Sequence, residues 1–431
     1  MAKTVIKAYE EPRLGETCHR ICHASGLTIL VWYKPEYRST YALFATRYGS
    51  IDTSFWVDGD SEPTVVPAGI AHYLEHKLFE NEDCDAFERY AQFGADANAY
   101  TSFDRTGYLF SCTDHAEESL KILLDFVQRP YFTKESVQKE QGIIGQEIRM
   151  GEDSPYRTVF HNLMSGLYER HPVRLEIAGT VESIAEITPE LLYGCYHTFY
   201  NLNNMVLTVA GNLSPERVAA IADEMLKPAE PFAVRRSYIE ESSEVYRPRV
   251  EAKMPVASPL FYLGFKQPFT KNDGVRYLTA KEQAAVGVLE DLIAGRASPL
   301  YYRLLEEGLI NNSFFFDVID GAGYMVWLFG GESEDPERVT AALHEEIARV
   351  RAEGIDGERF AAARNALYGQ IVSGLNSMEN CGDLLADDFF CGCEPFERLR
   401  AVAELTEADV MELLEKSLYP SMATLSVVRA E

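Results

Sequence analysis

Hydrophobic positions along the chain follow two rhythms. Short runs rich in aromatic and β-branched residues, bounded by polar or glycine-containing segments, predict strands at 27–33, 41–46, 106–111 and 204–210. Longer stretches with apolar residues every three or four positions predict helices over roughly 67–80, 116–128, 134–150, 188–199 and 215–226. After a break the same order returns. Strands are expected near 260–265, 313–317, 323–330 and 423–429, and helices near 279–294, 336–352 and 357–373. Asp335 before Pro336 is a capping residue followed by a good first-turn residue.

The break spans about 227–253. It holds Pro228, Pro231 and Pro248, charges of both signs and no sustained period, as linkers do. The expected domains are therefore 1–226, a linker at 227–253, and 254–431. Gly145-Gln146-Glu147 in the first half is echoed by Gly369-Gln370-Ile371 in the matching helix of the second. The fold class expected is α+β: two homologous halves, each a mostly antiparallel sheet packed with helices.

Composition narrows the partners more than the activity. Of 431 residues, 46% are hydrophobic, enough for a sizeable core. A net charge of −27 argues against nucleic acid and against anionic membranes, which both need clustered Lys and Arg. The residues from Met1 to Lys7 contain no apolar run suited to a signal peptide, and no segment is apolar for long enough to span a bilayer. A cytoplasmic protein is expected. Eight irregularly spaced cysteines are too few for a disulfide framework. Cys18/Cys22 and Cys391/Cys393, with His19 and His23 nearby, form no CxxC, so reduced and mostly buried thiols are the simpler reading.

The sharpest chemical signal is His72-Tyr73-Leu74-Glu75-His76. On a helix His72, Glu75 and His76 share one face, while Ile70, Leu74 and Leu78 occupy the opposite one. Imidazoles at i and i+4 can converge on one zinc ion, leaving the glutamate between them beside the metal, where it can take a proton from a bound water. The alternative is an exposed polar helix face. The helix near 134–150 adds Glu140 and Glu147, seven residues apart and so facing the same way, at the margin of an apolar stripe of Val137, Ile144 and Ile148. Carboxylates there are costly unless paired, hydrogen-bonded or bound to metal.

Together these residues resemble the inverzincin metallopeptidases of the pitrilysin, insulinase and mitochondrial-processing-peptidase type. The likeness extends through Gly69–Phe79, Ala97-Asn98-Ala99-Tyr100-Thr101, Gly142–Glu147 and Ile177-Ala178-Gly179-Thr180, and more weakly to Leu300–Leu304 and Glu307-Gly308-Leu309. It is nearest to the short bacterial branch, and within it to the zinc-binding member of a two-gene pair. The resemblance implies that His72, His76 and Glu147 bind zinc and that Glu75 is the general base. It implies that Glu140 supports the site by hydrogen-bonding a ligand or orienting it. Asn98 and Ala99 would lie on an edge strand that takes the substrate peptide as an added strand.

The function expected is zinc-dependent endopeptidase action on peptides or unfolded segments; the alternative is a non-catalytic scaffold subunit of the same fold. Active relatives also supply an Arg and a Tyr seven residues apart that polarise the substrate carbonyl. In register with Glu307-Gly308-Leu309 those positions fall on Leu304 and Asn311. Arg303 is one residue off, Ile310 follows it by seven, and Tyr301, Tyr302 or Tyr324 are the remaining substitutes. The expectation is a zinc-bearing subunit whose homologous partner supplies the missing pair, with a homodimer as the form taken alone.

Overall fold

The computed structural model describes residues 4–57, 61–231, 234–236, 239, 241–267 and 276–430, so part of the segment 227–253 lies outside the described residues. The chain forms two compact units. Unit 1 comprises Met1–Ile148, Glu176–Ser237 and Ser373–Phe396; unit 2 comprises Arg149–Leu175, Tyr238–Val372 and Glu397–Glu431. The main crossing, at Ser237/Tyr238, falls inside 227–253. In addition, segments 149–175 and 373–396 belong to the unit opposite the half of the sequence that carries them, which the boundaries 1–226 and 254–431 did not anticipate.

Among the described residues, ten strands build unit 1: β1 (Val5–Glu11), β2 (Glu16–Cys22), β3 (Thr28–Tyr33), β4 (Thr40–Thr46), β5 (Ser54–Val57), β6 (Thr64–Val65), β7 (Asp96–Thr101), β8 (Thr106–Cys112), β9 (Met205–Gly211) and β10 (Val234–Arg236). Seven form the main sheet, in the order β1-β2-β3-β9-β4-β8-β7, and β10-β5-β6 form a small one. In the main sheet β3 and β9 run parallel and the other neighbours antiparallel. Unit 2 holds β11 (Arg249–Lys253), β12 (Leu260–Lys266), β13 (Phe315–Gly321), β14 (Tyr324–Glu332) and β15 (Ala423–Arg429), in the order β11-β15-β12-β14-β13. Again the first pair is parallel and the rest antiparallel. Without β1 and β2, the two sheets have one topology, strand for strand in chain order. The two halves are homologous α+β folds, as the sequence echo implied.

The inner strands β4, β9, β12, β14 and β15 are buried on both faces, which explains their continuous apolar runs. In unit 1, Ile29, Val31, Ala42 and Phe44 face the larger core with helix Ile70–Leu78. Leu30, Trp32, Leu43 and Ala45 face the other way, towards Met378, Leu385 and Phe390 of helix Met378–Cys391. Gly382 lets that helix sit against the Tyr41 ring, where an added Cβ would come within 2.4 Å, and Tyr41 donates to Asp383 at 2.7 Å. In unit 2 the equivalent cover is helix Pro155–Leu167, packed on β11, β12 and β15. Neither covering helix stands out in the periodicity, although Ser154 before Pro155 and Ser377 before Met378 are good caps. No helix among the described residues is long and apolar enough to cross a membrane.

Candidate metal centre

The histidine helix begins at Ile70, three residues later than the Pro67 start expected, because Gly69 caps it in a left-handed conformation. A side chain at Gly69 would meet the Ala178 carbonyl, and one at Gly179 would meet the Ala68 carbonyl, each within 2.4 Å. Two glycines thus let two turns pack back to back, and Ser183 Oγ ties them by donating to the Ala68 carbonyl at 2.8 Å. Ile70, Leu74 and Leu78 anchor the buried face of the helix, and Tyr73 donates its hydroxyl to the Val137 carbonyl of the glutamate helix, Lys134–Glu152. Thr133 and Ser136 cap that second helix reciprocally. Gln141 fastens it further by donating to the Ile184 carbonyl at 3.0 Å.

These anchors bring three donors together. His72 Nε2 lies 3.6 Å from Glu147 Oε1, and His76 Nε2 lies 3.7 Å from Glu147 Oε2. One ligand atom from each residue falls within 4.8 Å of the others, and this is the grouping of that kind among the described residues. Donors around a tetrahedral zinc at ~2.0–2.1 Å are about 3.4 Å apart, so the spacing suits the ion. The donor set, two imidazoles and one carboxylate, suits it equally. Glu147 is 43% exposed, which leaves the site open on one side.

Glu140 does not join the three. Its Oε1 lies 3.0 Å from His76 Nδ1. An ionised carboxylate only accepts, so Nδ1 carries the proton and the Nε2 lone pair turns towards Glu147. The His76 pKa is raised: burial lowers it, but the Glu140 bond and the charges of Glu75, Glu140 and Glu147 outweigh burial. The Glu140 pKa is lowered; burial raises it, and the bond to His76 with the charges of His76, Lys77 and Lys139 prevails. Lys77 is fully buried and paired with Glu80.

Glu75 is 8% exposed and accepts from the Thr101 hydroxyl at 2.6 Å. Burial pushes its carboxyl up, against the Thr101 bond and the His76 charge and with the Glu147 charge. Thr101 went unread as a functional residue, since nothing in its local pattern separates it from any strand-end threonine. Asn98 and Ala99 lie on β7, the outer strand, which pairs on one side with β8. The Ala99 N–H is taken by the neighbouring Asn98 Oδ1 at 2.9 Å.

Unit 2 places no Arg/Tyr pair at 304 and 311. Leu304 is wholly buried, and Asn311 donates to Glu332 Oε2 at 2.9 Å. Arg303 and Tyr302 are exposed, whereas Tyr301, Ile310 and Tyr324 are buried. The histidines outside the centre stay apart from it; His23, for example, sits between Ser25 Oγ at 2.8 Å and Asp223 at 2.9 Å. All eight cysteines are free thiols.

Residues 61–181 match the family described as Insulinase (Peptidase family M16), and residues 186–367 match the Peptidase M16 inactive domain. The chain is 36% identical over 428 residues to the uncharacterized zinc protease YmfH of Bacillus subtilis, covering 98% of this chain and 99% of that one. A putative M16-like peptidase from Alicyclobacillus acidocaldarius superposes with a TM-score of 0.90 at 33% identity, over 100% of this chain and 99% of the other. Pitrilysin shares the fold, with a TM-score of 0.76 at 17% identity, over 100% of this chain and 47% of its own.

Proposed function

This chain belongs to peptidase family M16, and on that premise we propose that it is a zinc-dependent endopeptidase acting on peptides or unfolded polypeptide segments. One observation carries the reading: His72, His76 and Glu147 converge at ligand spacing with the buried carboxylate of Glu75 on the same helix face. Zinc held by those three side chains would supply a Lewis acid that polarises the scissile carbonyl and acidifies a water. Glu75 takes the proton as the water oxygen adds to the carbonyl carbon, and passes it to the amine nitrogen as the C–N bond breaks. Glu140 holds His76 in the tautomer that presents Nε2. The free edge of β7 accepts the peptide main chain, the substrate displacing Asn98 Oδ1 from the Ala99 N–H.

The complete donor set, with both its base and its orienting carboxylate, favours catalysis over a scaffold role. The want of an Arg/Tyr pair at Leu304 and Asn311 supports a composite site, in which a homologous partner supplies donors to the developing oxyanion. Alone, the chain forms at most a weak homodimer and cleaves poorly. Eight cysteines without a disulfide, four of them buried, support a reducing, cytoplasmic setting.

The test is metal content and cleavage, with and without the partner. The chain should hold about one zinc, and Glu75→Gln should keep it while abolishing cleavage. A chain that takes up no zinc at neutral pH would sink the reading. Full activity of the purified chain, insensitive to changes at Tyr301, Tyr302, Arg303 and Tyr324, would remove the partner.

A further inference from the structure

The strand that frames the peptide in the proposed reading also grips the base. β7 ends at Thr101, which closes its ladder against Thr106 of β8. Thr101 Oγ1 reaches Glu75 Oε2 at 2.6 Å, the length of a hydroxyl donating to an ionised carboxylate. Each hydroxyl has one proton. The fully buried Thr106 spends its own on the Tyr48 carbonyl at 2.8 Å, so it meets Thr101, at 3.5 Å, as an acceptor. The Thr101 proton therefore belongs to Glu75, the nearer of its two possible acceptors. A β-branched residue on a paired strand has few rotamers, which makes the donor stiff. A carboxylate held through one oxygen cannot spin without losing that bond.

Unit 2 offers an independent comparison. Its helix Ala280–Ala294 lies between β12 and β13, as the histidine helix lies between β4 and β7. Its Leu289-Glu290-Asp291 can be set against Leu74-Glu75-His76 of the histidine helix. Glu290 is buried like Glu75, but the residue that closes β13 against β14 is Gly321, without a side chain. Glu290 Oε1 has no hydrogen-bond partner.

From these facts we infer that Thr101 is a positioning residue, which fixes the rotation of the Glu75 carboxylate and couples it to the peptide-binding edge. The inference rests on the peptidase reading for its consequence, but not for the contact itself. Two measurements on the full chain separate the two.

The first is a double-mutant cycle in thermal unfolding, which needs no turnover. Thr101→Val should lower the melting temperature by about 1–3 °C in the natural background and leave it unchanged in a Glu75→Met background. Equal drops in both backgrounds would overturn the inference. The second is peptide cleavage, by the chain with its partner if one is required. Thr101→Val should keep one zinc per chain and KM within about twofold, while kcat falls about 10–100-fold, the cost of a misplaced reacting group. Thr101→Ser, which restores the hydroxyl, should recover most of kcat. An unchanged kcat in Thr101→Val would overturn the inference, as would a loss that Thr101→Ser leaves in place. Cleavage undiminished by Glu75→Gln would instead overturn the peptidase reading, and the cycle would still decide whether Thr101 holds Glu75.

Discussion

Units 1 and 2 share a five-strand framework, yet one gathers two imidazoles and a carboxylate and the other gathers none of them. With Leu289-Glu290 set against Leu74-Glu75 and Gly369-Gln370 against Gly145-Gln146, unit 2 has Gly287, Asp291 and Ile371 in register with His72, His76 and Glu147. The space has closed as well. Leu367 approaches Gly287 so nearly that an added Cβ would lie 3.1 Å from it, and Leu367 packs on the core of its unit. Its counterpart in unit 1, Ile143, is 47% exposed beside Glu147. What survives in both is a buried glutamate. Burial at that point of the helix is thus a property of the framework, whereas reactivity comes from the groups around it: ligands, an orienting carboxylate and a hydroxyl.

Removing the ligands should erase the difference between the units most completely. His76→Ala or Glu147→Gln should lose stoichiometric zinc on dialysis, and cleavage should disappear with it; Glu75→Gln should keep the zinc and lower kcat by about 10²–10⁴-fold. Metal analysis beside a peptide assay reads both. Glu140→Gln attacks the next layer. The weaker acceptor should lower zinc affinity about 10–100-fold, seen by competition with a chelator, without abolishing binding.

The comparison can also be pressed from the other side. Installing Gly287→His, Asp291→His and Ile371→Glu together should not create a second zinc site, because Leu367 fills the room that the imidazole needs. Gly287→His by itself should destabilise the chain by about 1–3 kcal/mol in denaturant unfolding, as overpacked positions do. A second tightly held zinc in the triple variant would mean that ligand identity alone separates the units.

The smallest expected effect concerns Glu290. Burial, with the Asp317 charge adding to it, pushes its carboxyl well above the usual range. An acid whose folded pKa is raised favours folding most below its unfolded pKa of ~4.3, and that advantage is lost as pH rises towards the folded value. Glu290→Met should therefore raise stability at pH 7 by about 1–2 kcal/mol and flatten the pH dependence above ~4.3. Unfolding curves at pH 5 and pH 8 would show it, and a loss of stability on substitution would mean that Glu290 has a partner worth keeping.

Much of this molecule is set locally and can be read without coordinates. Spacing alone puts His72, Glu75 and His76 on one face, and the seven-residue step aligns Glu140 with Glu147, because helix period is a property of the backbone. The duplication shows in a three-residue echo. Other features depend on contacts between residues far apart in sequence. Helices Pro155–Leu167 and Met378–Cys391 each cover a sheet built from the other half of the sequence, a choice no periodicity encodes, since an apolar face does not say which sheet it will meet. The division of labour between Glu140, on His76 Nδ1, and Glu147, facing both Nε2 atoms, comes from how two helices pack. The Thr101 bond to Glu75 likewise exists only because a strand end and a helix face are brought within 2.6 Å, and tertiary packing alone sets such a distance.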